Sequence, residues 1–388
     1  MKQSRLAVNI IFFINGFIFA NWAARLPLLQ DTYDINHKML GFVLLSASLG
    51  ALFAMPFTGW LISKNGSQKI TQRAAFLYLC IVPFIPLSPN YWTLMTTFFI
   101  MGMMTGTLDV AMNAQAVVVE KAYQKPIMSF FHAMFSAGMM IGAGSGALFE
   151  RFEVSLFYHF LAIVLLSIAA YIWCVRHLME DEVAEEEKEA SFFKLPDPAL
   201  IGIGVIAFCC MLGEGAMADW SSNYMTRIVE ADLSTAPLGL FAFSLAMMIG
   251  RFLGDAARVR FGDQNLLFFG GLFAMSGIAL IVFLPATISA IFGFFLIGVG
   301  LSSIVPIAYS QAGNMPGIAP GVGIGMVTTI GYAGFLFGPP IIGFLADWQN
   351  LRIAFMFILG LFFAMTSLAW IQRQRKQKKR LHESTIRA

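Results

Sequence analysis

Apolar runs about as long as a bilayer core is thick recur along the whole chain of 388 residues. The runs at 154–175, 264–284 and 286–311 contain no Asp, Glu, Lys or Arg. A helix of about 20 apolar residues crosses the hydrocarbon core of a membrane, and a soluble fold cannot bury so many of them. Charged residues make up only 12% of the chain, about half of what a soluble protein carries. The sequence therefore predicts an all-α polytopic membrane protein.

Breaks in the apolar pattern at charged residues, Pro and Gly predict twelve membrane-spanning helices. They lie near residues 6–30, 39–62, 70–89, 91–119, 126–149, 154–175, 199–226, 236–254, 264–284, 286–311, 320–346 and 350–371. The first run is too long for the core of a signal peptide, so we expect it to remain as the first span.

The positions of the basic residues predict that both termini are cytoplasmic. Basic residues concentrate in the cytoplasmic segments of membrane proteins. With the termini inside, all but five of the 25 Lys and Arg fall on the inner side; the exceptions are Arg25, Lys38, Arg151, Arg227 and Arg352. The basic tail "RQRKQKKR" fits this topology better than it fits a nucleic-acid site.

One long polar and acidic stretch, 176–198, divides the spans into six plus six. We predict an N-terminal six-helix bundle at 1–175, a cytoplasmic linker at 176–198, a C-terminal bundle at 199–371 and a basic cytoplasmic tail at 372–388. Short motifs recur in the same order in both halves. "FANWAARLP" and "MADWSSNYM" end the first span of each half, and "GWLISKNGSQK" and "GDAARVRFGDQ" follow the second. Two parallel halves with a binding site between them are a common transporter plan.

These features resemble the major facilitator superfamily, whose turn after the second span reads G-x-L-x-D-[RK]-x-G-[RK]-[RK]. Ser63 and Val259 stand where the two copies of that turn carry Asp, which departs from the family's charge network. The segments "NWAARLP", "GEGAMADW", "GRFLGD" and "GFLFGPPIIGFLAD" are similar to YbjJ-type bacterial inner-membrane transporters, near the fucose permeases. The resemblance implies two pseudo-symmetric six-helix bundles in a bacterial inner membrane.

Asp109 lies deep inside the fourth predicted span, with Asn113 one turn later on the same face. An ionised carboxylate facing lipid costs several kcal/mol, so we expect Asp109 to face the bundle or a wet cavity. Such a pair can exchange a proton and bind a polar solute, or it can be a structural bond between helices. Fucose permeases resemble this segment, which implies a role for Asp109 in proton coupling.

The seventh span carries Glu214 near the membrane middle and Asp219 nearer the outer face. We expect Glu214 to be a second proton-coupling or binding residue. Arg25, at the outer end of the first span, is the predicted partner of Asp219, in an outer gate or a structural clamp. Arg251 is predicted to pair with Asp255 at i+4 near the inner face.

Further residues are predicted to bind solute or to shape the helices. Aromatic rings and amides near the expected site are solute-binding candidates, although Trp also anchors helices at the interface and amides also link helices; they are Asn21, Trp22, Gln115, Trp220, Asn223 and Gln311. Small residues at every fourth position and two prolines predict close packing and a bend; they are Gly138, Gly142, Gly146, Gly334, Gly338, Pro339 and Pro340.

The sequence contains no nucleotide-binding loop of the G-x-x-x-x-G-K-[ST] type and no metal-ligand spacing, so we predict no enzyme, no metal and no cofactor other than a proton gradient. We expect a monomeric secondary transporter that moves a small, sugar-like polar solute by alternating access with proton symport. Its expected partners are the solute, protons and membrane lipids, with no nucleic acid. The alternatives are proton-driven efflux of amphipathic compounds and a membrane sensor that does not transport.

Overall fold

The computed structural model describes residues 1–124, 127–181, 198–316, 318 and 320–387. The first six long helical segments are joined by short connections. They are α1 (Lys2–Ala24) with the short α2 (Leu26–Thr32), α3 (His37–Asn65), α4 (Ser67–Ile81) extended by a 3-10 helix (Val82–Leu87), α5 (Tyr91–Tyr123), α6 (Met128–Arg151) and α7 (Leu156–Val175).

The remaining six segments repeat this plan. They are α8 (Pro198–Arg227), α9 (Leu238–Phe261), α10 (Asp263–Phe283), α11 (Thr287–Leu301) continued by α12 (Ile304–Gly313), α13 (Pro320–Trp348) and α14 (Leu351–Arg387). The last helix runs past residue 371, where the sequence predicts the end of the final span, because its basic continuation contains no Gly or Pro to stop it.

Eleven of these segments are both long and apolar enough to cross a membrane, counted over the described residues. The twelfth segment, α6, has 24 residues, which is sufficient length, but glycine and polar residues lower its mean hydropathy. The fold is therefore that of an all-α polytopic membrane protein. The predicted boundary between the bundles stays a prediction, since residues 182–197 of the linker lie outside the described part.

The two halves pack their helices in the same way. In the first half α1 packs on α6 and α3 packs on α5; in the second, α8 packs on α13 and α9 packs on α11. The turn after the second span of each half ends in a glycine with left-handed φ, Gly66 at 81° and Gly262 at 76°. A side chain is strained at such φ values, which explains why glycine occurs in both copies of the turn.

Glycines permit the closest helix contacts within each half. Gly142 on α6 lies against the backbone of Phe17 on α1, and Gly334 on α13 lies against the backbone around Leu212 on α8. Gly138 and Gly146 continue the α6 stripe along α1, and Gly338 follows Gly334. Small residues let helix backbones approach in a membrane, where no hydrophobic force drives helices together.

The two halves meet along α6 with α9 and along α3 with α13. Near one end of the second contact, Gly41 on α3 packs against Pro339 and Pro340 on α13. The helix α13 continues through both prolines. This end of the molecule is opposite to the chain termini, and we call it the distal side.

In the first half, an acid from outside the turn motif caps the helix that follows the glycine turn. The Asp181 carboxylate accepts hydrogen bonds from the backbone N–H groups of Ser67 (2.6 Å) and Gln68 (3.2 Å) at the start of α4. A carboxylate is favoured at a helix N-terminus by the unpaired N–H groups and the helix dipole. Asp181, which follows α7, thus supplies a negative charge at a turn that has Ser63 in place of the motif's Asp.

Candidate functional site

Asp109 is half-buried between the two halves of the protein. The Asn113 amide donates to the Asp109 backbone carbonyl at 2.8 Å and to its carboxylate at 3.3 Å. From the other half, the Tyr332 hydroxyl donates to the second carboxylate oxygen at 3.3 Å. No cation of the described residues forms an ion pair with Asp109. The carboxylate therefore retains capacity to accept a proton or a solute donor.

Glu214 pairs with Arg251, which the sequence analysis predicted to pair with Asp255. The Arg251 guanidinium pairs with Glu214 at 2.8 Å and donates to the Ser136 hydroxyl at 2.7 Å. The predicted pair of Arg251 with Asp255 is wrong. Helix side chains lean toward the helix N-terminus, so Arg251 extends toward the membrane interior and away from Asp255. Since Ser136 belongs to α6, this arginine also links the two halves.

Two tyrosines complete this central cluster, defined by Asp109, Asn113, Glu214, Arg251, Tyr309 and Tyr332. Tyr332 contacts Asp109 directly, and both tyrosines lie near Asp109 and Glu214, so the two acids border one common region. The Tyr309 hydroxyl also contacts the sulfur of Met211 at 3.9 Å. The sequence analysis did not predict a role for either tyrosine. A phenol within an otherwise apolar, glycine-rich span was the feature that could have indicated one.

Arg25 does not pair with Asp219, so the predicted gate pair is wrong. Arg25 is 2% exposed and pairs with Glu150 at 2.7 Å. It also donates to the Val154 carbonyl at 3.0 Å, and its second amino group lies 3.2 Å from Nδ1 of His159. All these partners belong to the first half, because the end of α1 packs on α6 and α7 rather than opening toward α8.

Asn21 is also held by this network. Its carboxamide oxygen lies 2.8 Å from Nε2 of His159 and accepts the Ser145 hydroxyl at 2.7 Å. An arginine can only donate, so Nδ1 of His159 accepts and Nε2–H donates. Asn21 is fully buried, and its bonds give it a structural position within the first half.

Ion-pair and aromatic contacts join the two halves on the distal side. Arg227 at the end of α8 pairs with Asp31 on α2. The Lys38 ammonium lies 4.9 Å from the ring centre of Phe344, and the rings of His37 and Trp220 are 6.2 Å apart. Among the described residues, the ion pair near this junction joins Asp31 to Arg227 rather than Arg25 to Asp219, and the sequence analysis did not predict it.

Two predicted solute ligands are used in packing. Trp22 is 5% exposed, stands edge-on to Phe98 at 5.5 Å and directs its N–H toward the Tyr78 hydroxyl at 3.4 Å. Gln115 is fully buried and donates to the Ser67 hydroxyl at 2.8 Å and to the Met179 carbonyl at 2.9 Å. Both side chains face the interior of the first half.

The other predicted ligands have buried polar atoms with no partner among the described residues. They include the Trp220 N–H, both amide atoms of Asn223 and the amide nitrogen of Gln311. Trp220 and Asn223 are both fully buried, while Gln311 is half-buried. A buried polar atom without a partner costs about 1–3 kcal/mol of stability, so binding a ligand or water that forms hydrogen bonds with these groups would be favourable.

Within the described residues no group of three or more His, Cys, Asp or Glu is placed to hold a metal ion. The central cluster instead combines one carboxylate without a cation, one ion pair and two phenols. Their net charge is −1 when the acids are ionised, since Arg251 offsets only one of them. A proton or a cationic group at Asp109 would balance that charge.

The chain is similar to known proteins in sequence and in fold. The family model described as Major Facilitator Superfamily matches residues 8–318. An uncharacterized MFS-type transporter of Yersinia pestis is 33% identical over 91% of this chain and 91% of its own length, and membrane protein MosC of Rhizobium meliloti is 32% identical over 92% and 88%. The quinolone resistance protein NorA of Staphylococcus aureus is 22% identical over 91% and 92%.

The crystal structure of the nucleoside transporter NupG superimposes on this fold with a TM-score of 0.73. The match covers 95% of this chain and 99% of that one at 13% identity. At this identity the likeness concerns the fold, which both chains build from the same arrangement of helices.

Proposed function

Since this chain belongs to the Major Facilitator Superfamily and is a membrane transporter rather than an enzyme, we propose that it is a proton-coupled symporter of a small polar solute. Asp109 exchanges the proton, and the central cluster holds the solute. The energy comes from the proton gradient, without a cofactor. The protein works as a monomer in a bacterial inner membrane, with both termini in the cytoplasm.

The position of Asp109 carries the proposal. Its carboxylate lies between the halves, is bound across the interface only by the 3.3 Å contact from Tyr332, and has no cationic partner among the described residues. A carboxylate in a membrane interior favours neutralisation by a proton over an uncompensated charge. Because Tyr332 belongs to the opposite half, a change in the charge of Asp109 changes a contact that joins the halves.

Glu214 and Arg251 respond to the solute in this proposal. Arg251 contacts Glu214 in its own half and Ser136 in the other half. A solute hydroxyl or carboxylate that takes a guanidinium N–H competes with these two contacts. Binding can then alter the α6–α9 contact between the halves, which is the contact that alternating access must rearrange.

The chemistry of the cluster favours a solute with several hydroxyl groups. Asp109 accepts hydrogen bonds, Tyr309 and Tyr332 donate and accept, and Arg251 only donates. Sugars and nucleosides offer matching groups. The resemblance to YbjJ-type transporters near the fucose permeases supports the same class, and NupG, which has this fold, is a nucleoside transporter.

Efflux of amphipathic compounds is the second candidate. The sulfur of Met211 contacts Tyr309 in the central cluster, and Met lines binding surfaces that accept varied apolar partners. NorA, a quinolone resistance protein, shares 22% identity with this chain. Import and export are distinguished by the direction of solute movement in vesicles under an imposed proton gradient.

Ligand binding by the purified protein tests the proposal. Thermal stabilisation is measured with a panel of sugars, nucleosides and organic acids at an acidic pH of about 5.5 and a slightly basic pH of about 7.5. Wild type is compared with Asp109→Asn and with Asp232→Asn, a matched change at an exposed loop carboxylate.

We expect one solute class to stabilise the wild type and Asp232→Asn with the same pH dependence, and the pH dependence to be weaker in Asp109→Asn. Solute binding with an unchanged pH dependence in Asp109→Asn refutes proton exchange at this residue. Stabilisation only by amphipathic cations supports the efflux alternative instead.

A further inference from the structure

A second carboxylate–amide pair lies on the distal part of α8. Asp109 and Asn113 are four residues apart, and so are Asp219 and Asn223. On a helix this spacing places both side chains on one face, one turn apart. Asp219 and Asn223 therefore repeat, in the second half, the spacing of the pair to which the proposed function assigns proton exchange.

The surroundings of Asp219 contain polar groups without partners. Asn223 is fully buried and neither of its amide atoms has a hydrogen-bond partner among the described residues. Ser222, three residues after Asp219 and on the same face, is 1% exposed, and its hydroxyl is likewise without a partner. These groups can bind whatever neutralises the carboxylate.

The cations near Asp219 are bound elsewhere. The helices packed on α8 include α1, α2, α9, α11, α12, α13 and α14, and α11 carries no charged residue. On these helices, the charged or titratable residues considered around Asp219 are Arg25, Asp31, Arg251, Tyr309, Tyr332, Asp347 and Arg352. His37 of α3 lies beside Trp220. On α8 itself, the other charged residues are Glu214 and Arg227.

Each arginine in this set has another partner. Arg25 pairs with Glu150, Arg227 with Asp31, and Arg251 with Glu214. Arg352 donates to the Val282 carbonyl at 2.8 Å. Asp219 thus has no ion-pair partner in the described part of the chain, although it lies within a span.

The continuity of the helix favours a proton over a metal cation. In transporter folds with broken helices, carbonyl groups of the unwound backbone help to bind Na⁺. Here α8 is helical from Pro198 to Arg227, and α1 is helical from Lys2 to Ala24. The carbonyls around Asp219 therefore remain in helical hydrogen bonds, and a proton needs only the carboxylate.

We propose that Asp219, supported by Asn223, is a second proton-binding site of the transporter, placed between the central cluster and the contacts on the distal side. It lies eight residues before Arg227, about 12 Å along the helix axis. The site rests on the proposed function in one respect: its proton enters the same transport cycle as the proton on Asp109. It implies that two protons, rather than one, accompany the solute.

Infrared spectroscopy tests the site without a solute. The C=O band of protonated carboxyl groups is recorded for purified protein in lipid, in choline buffer from about pH 5 to about pH 9. Spectra of Asp219→Asn and Asp109→Asn are each subtracted from that of the wild type. We expect each difference to contain one protonated carboxyl that is lost as the pH rises.

The controls separate this inference from the proposed function. The Asp219→Asn protein should retain the Asp109 band, which also shows that it is folded. Absence of an Asp219 band at every pH, with the Asp109 band present, overturns the second site and leaves the proposed function standing. Absence of only the Asp109 band overturns the proposed coupling residue.

Sodium and Asn223 provide two further tests. Replacing choline with Na⁺ should leave the Asp219 band unchanged, and loss of the band with Na⁺ would identify a cation site and overturn the proton assignment.

Asn223→Ala should shift the pH at which the Asp219 band is lost without changing the pH at which the Asp109 band is lost. An unshifted Asp219 band would refute the supporting role of Asn223.

Discussion

The ion pair of Glu214 and Arg251 allows a quantitative test of the central cluster. The two charged groups are 2.8 Å apart, and the side chains are 18% and 15% exposed respectively. Breaking a fully buried pair by removing one partner costs about 3–5 kcal/mol, while exposed pairs contribute about 0.2–1 kcal/mol. The slight exposure of this pair places each single variant, Glu214→Gln and Arg251→Gln, at a loss of about 2–3 kcal/mol.

A double-mutant cycle isolates the interaction. We expect the double variant to lose less than the sum of the single losses, with a coupling energy of about 1.5–2.5 kcal/mol, because the second change removes a charge that is already unpaired. The free energy of unfolding is measured by denaturant titration in mixed micelles. Arg258 and Asp263 offer a matched control pair at 3.0 Å, with both side chains 26% exposed, for which we expect less than about 1 kcal/mol.

Two results would refute this reasoning. A coupling energy for Glu214 and Arg251 no larger than that of the control pair would mean that water screens the central cluster fully. Additive losses would mean that the two residues act through separate contacts, such as the bond of Arg251 to Ser136.

Three further predictions follow from single contacts. Gln115→Leu should reduce stability by about 1–2 kcal/mol without changing solute affinity, because it removes bonds to Ser67 and Met179 inside the first half; a selective loss of affinity in a binding titration would return Gln115 to the solute site. Gly142→Leu should lower the melting temperature, since a Cβ there would lie 2.5 Å from the Phe17 carbonyl oxygen, whereas Gly360→Leu, with open space within 4 Å, should not; equal shifts would contradict the packing role. The pKa of Asp232 is held below its usual value by hydrogen bonds from Ser234 and Thr235, so its contribution is present above its unfolded pKa of about 3.9 and is lost as the pH falls through the folded pKa. Hydrogen exchange at Thr235 should therefore be faster in Asp232→Asn than in wild type near neutral pH, and the difference should disappear under strongly acidic conditions.

The pattern of apolar runs was sufficient to predict the helices. The thickness of a bilayer sets the length of a span, and the backbone must satisfy its own hydrogen bonds there, so apolar runs such as 154–175 have to be helical. The glycine turns were visible as repeats in the sequence, and Gly66 and Gly262 adopt nearly the same φ in the structure. These features depend only on local residues and on the membrane.

The choice of ion-pair partners was not predictable in this way. Arg25 lies near Asp219 in a simple diagram of the spans, but the packing of α1 on α6 and α7 directs it to Glu150. Arg251 lies four residues from Asp255, yet its side chain reaches Glu214. A long side chain can contact any of several helices, so its partner depends on how the helices face one another.

The sequence by itself predicted an all-α polytopic membrane protein with twelve spans in two related halves, and it placed Asp109, Glu214 and Asp219 within spans. Hydropathy and residue spacing fix those properties because they depend on the chain and the bilayer alone. Only the tertiary structure decided which acids are neutralised by arginine and which are not. That decision rests on distances between helices far apart in sequence, and it leaves Asp109 and Asp219 without a cation in the described part of the chain.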